Sequence, residues 1–274
     1  MGIIDKIKGR ATDVHVAIQD SRADELSQLF NKMFFLPKDI GEETRFVRQV
    51  MTRGLESQER RGLHASAMLV SDGEFCLRQQ VLSLVYKQSQ DQDTPVHLKR
   101  IFEQGNAIHE KWQRLFIRAK YGKAEDMDRT RVNEKYMMSF SPDAVITIPE
   151  FYPEPMVVEI KSVNSFSFQK QTKHPSAWKQ CQWYMYNLGL KKGIVLSEDK
   201  NTQDYRLELY DYDPELVAPY IDRAESIVYY YKLLMEEHKM VAKPKEATSS
   251  SCKKCNDCFM KGACWNTGMG RIKL

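Results

Sequence analysis

The run Pro155-Met156-Val157-Val158-Glu159-Ile160-Lys161-Ser162-Val163 restricts the fold more than any other stretch of this chain. Side chains alternate across a strand, so Met156, Val158 and Ile160 point into a core. Glu159 and Lys161 share the opposite face, roughly 6.6 Å apart. A carboxylate and an ammonium at the end of an apolar strand form a polar site on a hydrophobic platform. A second carboxylate, Asp143 of the Pro142-Asp143 pair, falls on what reads as the neighbouring strand. Two acids able to clamp a divalent cation, with a lysine that can steer or deprotonate water, are the parts of a phosphodiester-hydrolysing site.

The Glu-x-Lys pattern alone is weak, because it occurs three times. Glu198 and Lys200 sit in a polar run, Ser197 to Asn201, that reads as a loop. Glu237 and Lys239 lie on an expected helix, where a spacing of two puts them on different faces. Only Glu159 and Lys161 are flanked by residues that would bury them, and an edge-strand ion pair would leave the same trace.

The surrounding pattern predicts an α/β protein: a mixed β-sheet core flanked by helices, with an N-terminal helical portion. Residues 1 to about 60 read as helical, with Leu26, Leu29, Phe30 and Met33 at helix spacing and a break at Pro37 to Gly41 before a second helix over Glu43 to Arg60. A third helix is expected over Ser66 to Tyr86 and a fourth over Val96 to Lys120. The fourth carries an apolar stripe of Ile101, Ile108, Trp112, Leu115 and Ala119, with His109 at its border and Gly105 one turn earlier. Strands follow at Tyr136 to Ser141, Ala144 to Ile148, Met156 to Val163, Gly193 to Leu196 and Tyr205 to Tyr212, and a helix at Pro214 to Lys239. At 42% hydrophobic and 28% charged, 274 residues suit one large or two modest globular domains. Neither a membrane-length apolar run nor a signal peptide is evident, so the expected location is cytoplasmic, with no membrane partner.

Net charge is a mild +4, but it is unevenly spread. Ser162 to Lys192 holds five lysines and no acid, interleaved with Phe166, Phe168, Trp178, Trp183, Tyr184 and Tyr186. That is the composition of a polyanion-facing surface, or of a helix with a core face and a solvated one. From Lys239 to Leu274 there are eight Lys or Arg against two acids. The same tail packs Cys252, Cys255, Cys258 and Cys264 into 13 residues, a density that argues for metal rather than disulfides in a cytoplasmic protein. Four nearby thiolates could hold zinc; three with one remote cysteine could hold an iron–sulfur cluster.

The order Gly105-x-x-x-His109, Pro142-Asp143, Glu159-Ile160-Lys161, Gln180-x-x-x-Tyr184 resembles the PD-(D/E)XK nuclease superfamily. Within it, the RecB-like exonucleases related to CRISPR adaptation and their phage-encoded relatives are the nearest pattern. Cys76, ahead of the histidine motif, and Cys255, Cys258 and Cys264, spaced C-x2-C-x5-C, match that branch's 4Fe-4S ligands. Cys252 is a surplus alternative, and Cys181 reads as a helix-packing thiol. Ser139-Phe140-Ser141 departs from the family, which often has a glycine ahead of the aspartate. The resemblance spans about residues 64 to 265.

What it implies is a metal-dependent DNA exonuclease acting on single strands or ends, in the company of recombination, replication or integration proteins. His109, Asp143, Glu159 and the Ile160 carbonyl would bind Mg2+ or Mn2+. Lys161 would orient or deprotonate water, and Gln180 and Tyr184 would line the site and meet the strand. The chain would divide into a helical region, 1–63, a nuclease core, 64–242, and a basic cluster-binding tail, 243–274. The alternative is a non-catalytic or partner-dependent DNA-binding and end-trimming module with a structural zinc or iron–sulfur site.

Overall fold

A strand apolar on both faces must lie inside a sheet with cover on either side, and Met156 to Ile160 is buried without interruption. The structure, a computed structural model, describes residues 21–55, 63–86, 95–256 and 258–266. The helix expected over the first twenty residues, and residues 56–60 of the second one, lie outside that range. The described chain forms two compact units. The first takes the residues up to 52 with 96–129 and 142–212; the second takes those of 53–95, 130–141 and 213 onward.

The first unit is built on a four-stranded mixed sheet. Strands β4 (Ala144–Ile148), β5 (Tyr152–Val163), β6 (Lys192–Asp199) and β7 (Tyr205–Asp211) lie in sequence order. Only β5 and β6 run parallel, and that pairing requires a crossover, supplied by α5 (Ser165–Lys170) and α6 (Ala177–Leu188). One face of the sheet, with Ile146, Val158, Ile160 and Leu196, packs on Phe30 of helix α1 (21–33), Phe46 of α2 (Ile40–Leu55), and Trp112 and Phe116 of α4 (Val96–Arg118). α6 covers the other face. An added Cβ at Gly193 would stand 2.2 Å from Cys181 Sγ, so the glycine is what lets α6 seat on β6. Cys181 is fully buried there, the packing thiol expected from sequence.

The second unit holds a smaller sheet in the order β1 (Leu63–His64), β3 (Met138–Phe140), β2 (Arg131–Asn133). Helix α3 (Leu77–Val85) packs on α7 (Pro214–Glu237), and the tail adds two short helices, α8 (Lys253–Asn256) and α9 (Lys261–Asn266). Pro214 opens α7 at a position where its missing N–H costs nothing, with Asp213 capping.

Several sequence expectations need correction. The third helix does not start at Ser66: residues 65–67 form a single 3-10 turn, and 68–76 are non-helical up to Cys76, which immediately precedes α3. Arg223 of α7 fixes that segment by donating to the Met68 and Val70 carbonyls (2.7 and 2.8 Å) and lying over the Phe75 ring. The strand expected over Tyr136 to Ser141 is shorter, Met138–Phe140, because Tyr136 closes a 3-10 turn, Glu134–Tyr136, ahead of it. Ile101 of α4 is exposed. Glu198 is not in a loop: β6 runs on to Asp199, and the Glu198 carboxylate is buried against Lys111 Nζ (2.6 Å) and Trp112 Nε1 (2.6 Å). No described helix is long and apolar enough to cross a membrane.

Candidate active site and cysteine pocket

The candidate site lies wholly in the first unit, on the α6 side of β5. Antiparallel pairing sets Ala144 opposite Val158, which brings Asp143, just before β4, level with Glu159 and Ile160. The Ile160 N–H donates to Asp143 Oδ2 at 2.6 Å, and His109 Nδ1 of α4 stands 3.1 Å from Oδ1. On β5 itself, Lys161 Nζ lies 2.5 Å from Glu159 Oε1 and donates to Gln180 Oε1 of α6 at 2.7 Å. The six side chains predicted from sequence, from His109 to Tyr184, therefore converge.

Tyr184 is placed differently from the expectation. Tyr184 is 1% exposed, so it cannot meet a nucleic-acid strand as expected; its hydroxyl hydrogen-bonds to Gln180 and backs the site. Gly105 does stand beside open space, since an added Cβ there would meet nothing.

Two further residues hold Asp143 in place. Gln113 Nε2, buried one turn beyond His109, donates to the Asp143 carbonyl at 2.7 Å, and the Asp128 N–H donates to the same oxygen at 2.9 Å. A glutamine four positions after a histidine is the only sequence signal for the first, and it is too common to single out.

The electrostatics set one acid against the other. Burial pushes the Glu159 carboxyl up to about 7, with the Asp143 charge adding to the rise and Lys161 only partly opposing it. Burial also works against ionised Asp143, but His109, Lys161 and the Ile160 N–H outweigh it and hold that carboxyl below the ordinary range. Burial likewise disfavours the charged forms of His109 and Lys161, yet the neighbouring carboxylates raise both. Lys161 is thus an ammonium that donates. Glu159 Oε2 is buried without a hydrogen-bond partner, a costly state for a carboxylate oxygen.

That orphan oxygen, the Asp143 carboxylate and the His109 imidazole make an O,O,N donor set of the kind a small divalent cation takes. Among the described residues no three His, Cys, Asp or Glu side chains are already gathered into a ligand group. The acids and bases stand instead as two adjacent pairs, His109 with Asp143 and Lys161 with Glu159. The residues fit such an ion by donor chemistry and by the unsatisfied oxygen.

Of the aromatics in Ser162 to Lys192, Trp183 and Tyr184 are core, whereas Phe166 is exposed with Lys170 Nζ 4.0 Å from its ring centre. The stretch thus divides between packing and an open cationic-aromatic surface.

The cysteines lie in the second unit. A partly open pocket of about 390 Å³, open solvent included, is lined by Cys76, Cys255, Cys258 and Cys264, with Lys243 and Trp265 on its wall. Cys252 does not line it. All are free thiols. Arg78, buried in the first turn of α3, donates from Nε to Cys264 Sγ at 3.2 Å.

No protein-family model matches the chain, and no curated protein matches it in sequence. It is similar in structure to LHK-Exo, an alkaline exonuclease from Laribacter hongkongensis, in its complex with dAMP: 14% identity, TM-score 0.48, covering 65% of this chain and 91% of that one. It is also similar to SSO0001, at 13% identity and TM-score 0.44 over 84% of this chain and 97% of the other. A phage-related exonuclease from Haemophilus somnus is similar at 14% identity and TM-score 0.41, over 65% and 96%.

Proposed function

We propose that this chain is a divalent-metal-dependent deoxyribonuclease of the PD-(D/E)XK kind, acting as an exonuclease on single-stranded DNA or DNA ends. The observation that carries the reading is Glu159 Oε2, buried and unsatisfied beside a second carboxylate and a lysine ammonium. A protein does not keep such an oxygen without a partner unless something else supplies it. Asp143, Glu159, His109 and the Ile160 carbonyl would hold Mg2+ or Mn2+. When bound, the ion activates water and polarises the phosphoryl oxygen.

The chain's own residues do the rest. The Ile160 N–H and Gln113 fix Asp143, so that carboxylate needs no reorganisation on binding. Gln180, backed by Tyr184, holds the Lys161 ammonium at the edge of the carboxylates, where it offsets charge developing on the phosphoryl oxygens. Phe166 and Lys170 offer a stacking and phosphate surface for the strand. The segments proposed from sequence, 64–242 as nuclease core and 243–274 as tail, stay part of this reading, as does kinship with the RecB-like branch.

In the second unit, Cys76, Cys255, Cys258 and Cys264 would hold a 4Fe-4S cluster, with zinc as the alternative, and the lining of the cavity favours this set over one including Cys252. Brown anaerobic protein supports the cluster; colourless protein with stoichiometric zinc favours the other metal.

The nuclease test is an end-labelled single-stranded oligonucleotide incubated with purified protein and Mn2+ or Mg2+. Stepwise shortening is expected, abolished in Glu159→Gln and Lys161→Ala. Wild-type protein that binds DNA but leaves it intact with every divalent ion would instead identify a binding or end-trimming module.

A further inference from the structure

Directly across the β5–β6 ladder from Lys161, the same sheet opens onto a second pocket of different chemistry. It is open to solvent on one side, its walls bounding about 180 Å³ with that solvent included, and no carboxylate lines it. Ser197 stands opposite Lys161 in the parallel β5–β6 ladder, and its Oγ is buried in the pocket wall without a hydrogen-bond partner. The residue is 4% exposed, so bulk solvent does not satisfy the hydroxyl.

The other walls present donors and positive charge. His174 Nδ1 accepts the Ala177 N–H at 3.0 Å and the Ser176 N–H at 3.4 Å. The proton of the neutral ring is therefore on Nε2, which makes that nitrogen a donor. The Arg206 guanidinium is fixed by the Phe168 carbonyl (3.0 Å) and the Gln171 carbonyl, and lies 4.5 Å from the Phe168 ring centre. It is a preorganised cation. Lys173 adds an exposed ammonium that has no hydrogen bond or ion pair among the described residues. The neighbouring acid is Glu208, which does not line the pocket; it accepts the His174 backbone N–H (2.7 Å) and the Tyr210 hydroxyl (2.6 Å). A water could satisfy the serine, but two cations and two neutral donors around one small space describe an oxyanion.

We propose that this pocket is a phosphoryl subsite, taking a backbone phosphate of the bound DNA strand next to the one at Glu159 and Lys161. The proposal rests on the nuclease reading. It deepens that reading by giving the strand a direction across the sheet, from the carboxylates toward α5 and the 171–174 turn. Ser197 and His174 select the phosphate by hydrogen bonding, and Arg206 and Lys173 supply the charge.

The test uses full-length Glu159→Gln protein, which holds DNA without cutting it, and fluorescence anisotropy of a labelled single-stranded oligonucleotide at several salt concentrations. Ser197→Ala removes a hydroxyl that bonds to no protein atom, so its fold is not at risk. It should weaken binding about five- to tenfold at an unchanged salt slope. Lys173→Ala should lower the log–log salt slope by about 0.7, the value for one phosphate contact on a single strand. A scan of oligonucleotides, each with one neutral methylphosphonate, should find a position where the parent loses the same factor and Ser197→Ala loses nothing further. Equal losses in both proteins at every position overturn the subsite. Inorganic phosphate that shifts the His174 ring signals by NMR, with no sensitive position in the scan, assigns the pocket to free phosphate and overturns the strand assignment. A sensitive position in a protein whose wild type cleaves nothing supports the subsite while overturning the nuclease reading.

Discussion

At the scale of single residues, Glu159 sets the behaviour of the metal-free protein. Its folded-state carboxyl is raised to about 7 by burial and by Asp143, against an ordinary value of 4.5. Between those values the folded protein binds a proton that the unfolded chain releases, so stability falls as pH rises across that window. His109, raised from 6.5, adds stability below that value that is lost as pH passes its folded pKa, the same direction. In a chelator, the thermal midpoint should therefore fall steadily from pH 4.5 into the alkaline range, and Glu159→Gln should flatten the lower part. A midpoint that rises over pH 4.5 to 7 would contradict the buried charge. Gln113→Ala leaves the Asp143 carbonyl with one donor instead of two and should cost about 1–3 kcal/mol of stability. It should also cut turnover, because the carboxylate loses a support, while Gln113→Glu should be worse by repelling Asp143. The apolar neighbours of Glu159 and Lys161 announce burial, but an edge-strand ion pair would read the same. It is the order of His109, Asp143, Gln180 and Tyr184 around them that singles the pair out in the sequence. Gln113 was not legible, since a glutamine in a helix looks the same whether it faces water or a carbonyl 30 positions away.

At the scale of elements, the position of α6 is what brings Gln180 and Tyr184 to β5, and Gly193 is what admits α6. Gly193→Ala would push its new methyl into Cys181 Sγ, with Met185 Sδ at 3.3 Å closing the other side. Overpacking of this kind costs about 1–3 kcal/mol. Because the helix would have to lift, activity should drop along with stability. Cys181→Ala makes room, so the double variant should recover much of the Gly193→Ala loss in chemical denaturation. Additive losses would show that the glycine matters for some other reason. The helices and strands of this unit were readable from periodicity, since β5 and α4 are long and strongly patterned. Glu198 escaped because Ser-Glu-Asp-Lys-Asn is turn chemistry by composition, while the partners that bury it, Lys111 and Trp112, lie 87 and 86 positions away. Likewise the apolar spacing of 66–76 suggested helix, and the Arg223 side chain that holds it in loop form comes from more than 150 positions downstream. Local pattern competes poorly with a long-range cation that caps three carbonyl or carboxylate groups at once.

At the scale of the whole molecule, the second unit is assembled from separated stretches of chain, and the cysteine pocket is where its first and last stretches meet. Cys76 and Cys255 both line that pocket. A cluster joining them would close a loop of about 180 residues, worth about 5 kcal/mol on the chain-entropy account. Each of Cys76, Cys255, Cys258 and Cys264 would support the same closure, so their contributions should not add. Cys76→Ser and Cys258→Ser should each remove the visible chromophore and lower the anaerobic thermal midpoint by similar amounts, and the double variant should fall little further. Cys252→Ser, outside the cavity lining, should keep colour and midpoint. Loss of the chromophore in Cys252→Ser with its retention in Cys264→Ser would reassign the ligand set to the first three tail cysteines. The second unit would then be closed around a pocket other than the one its thiols now line.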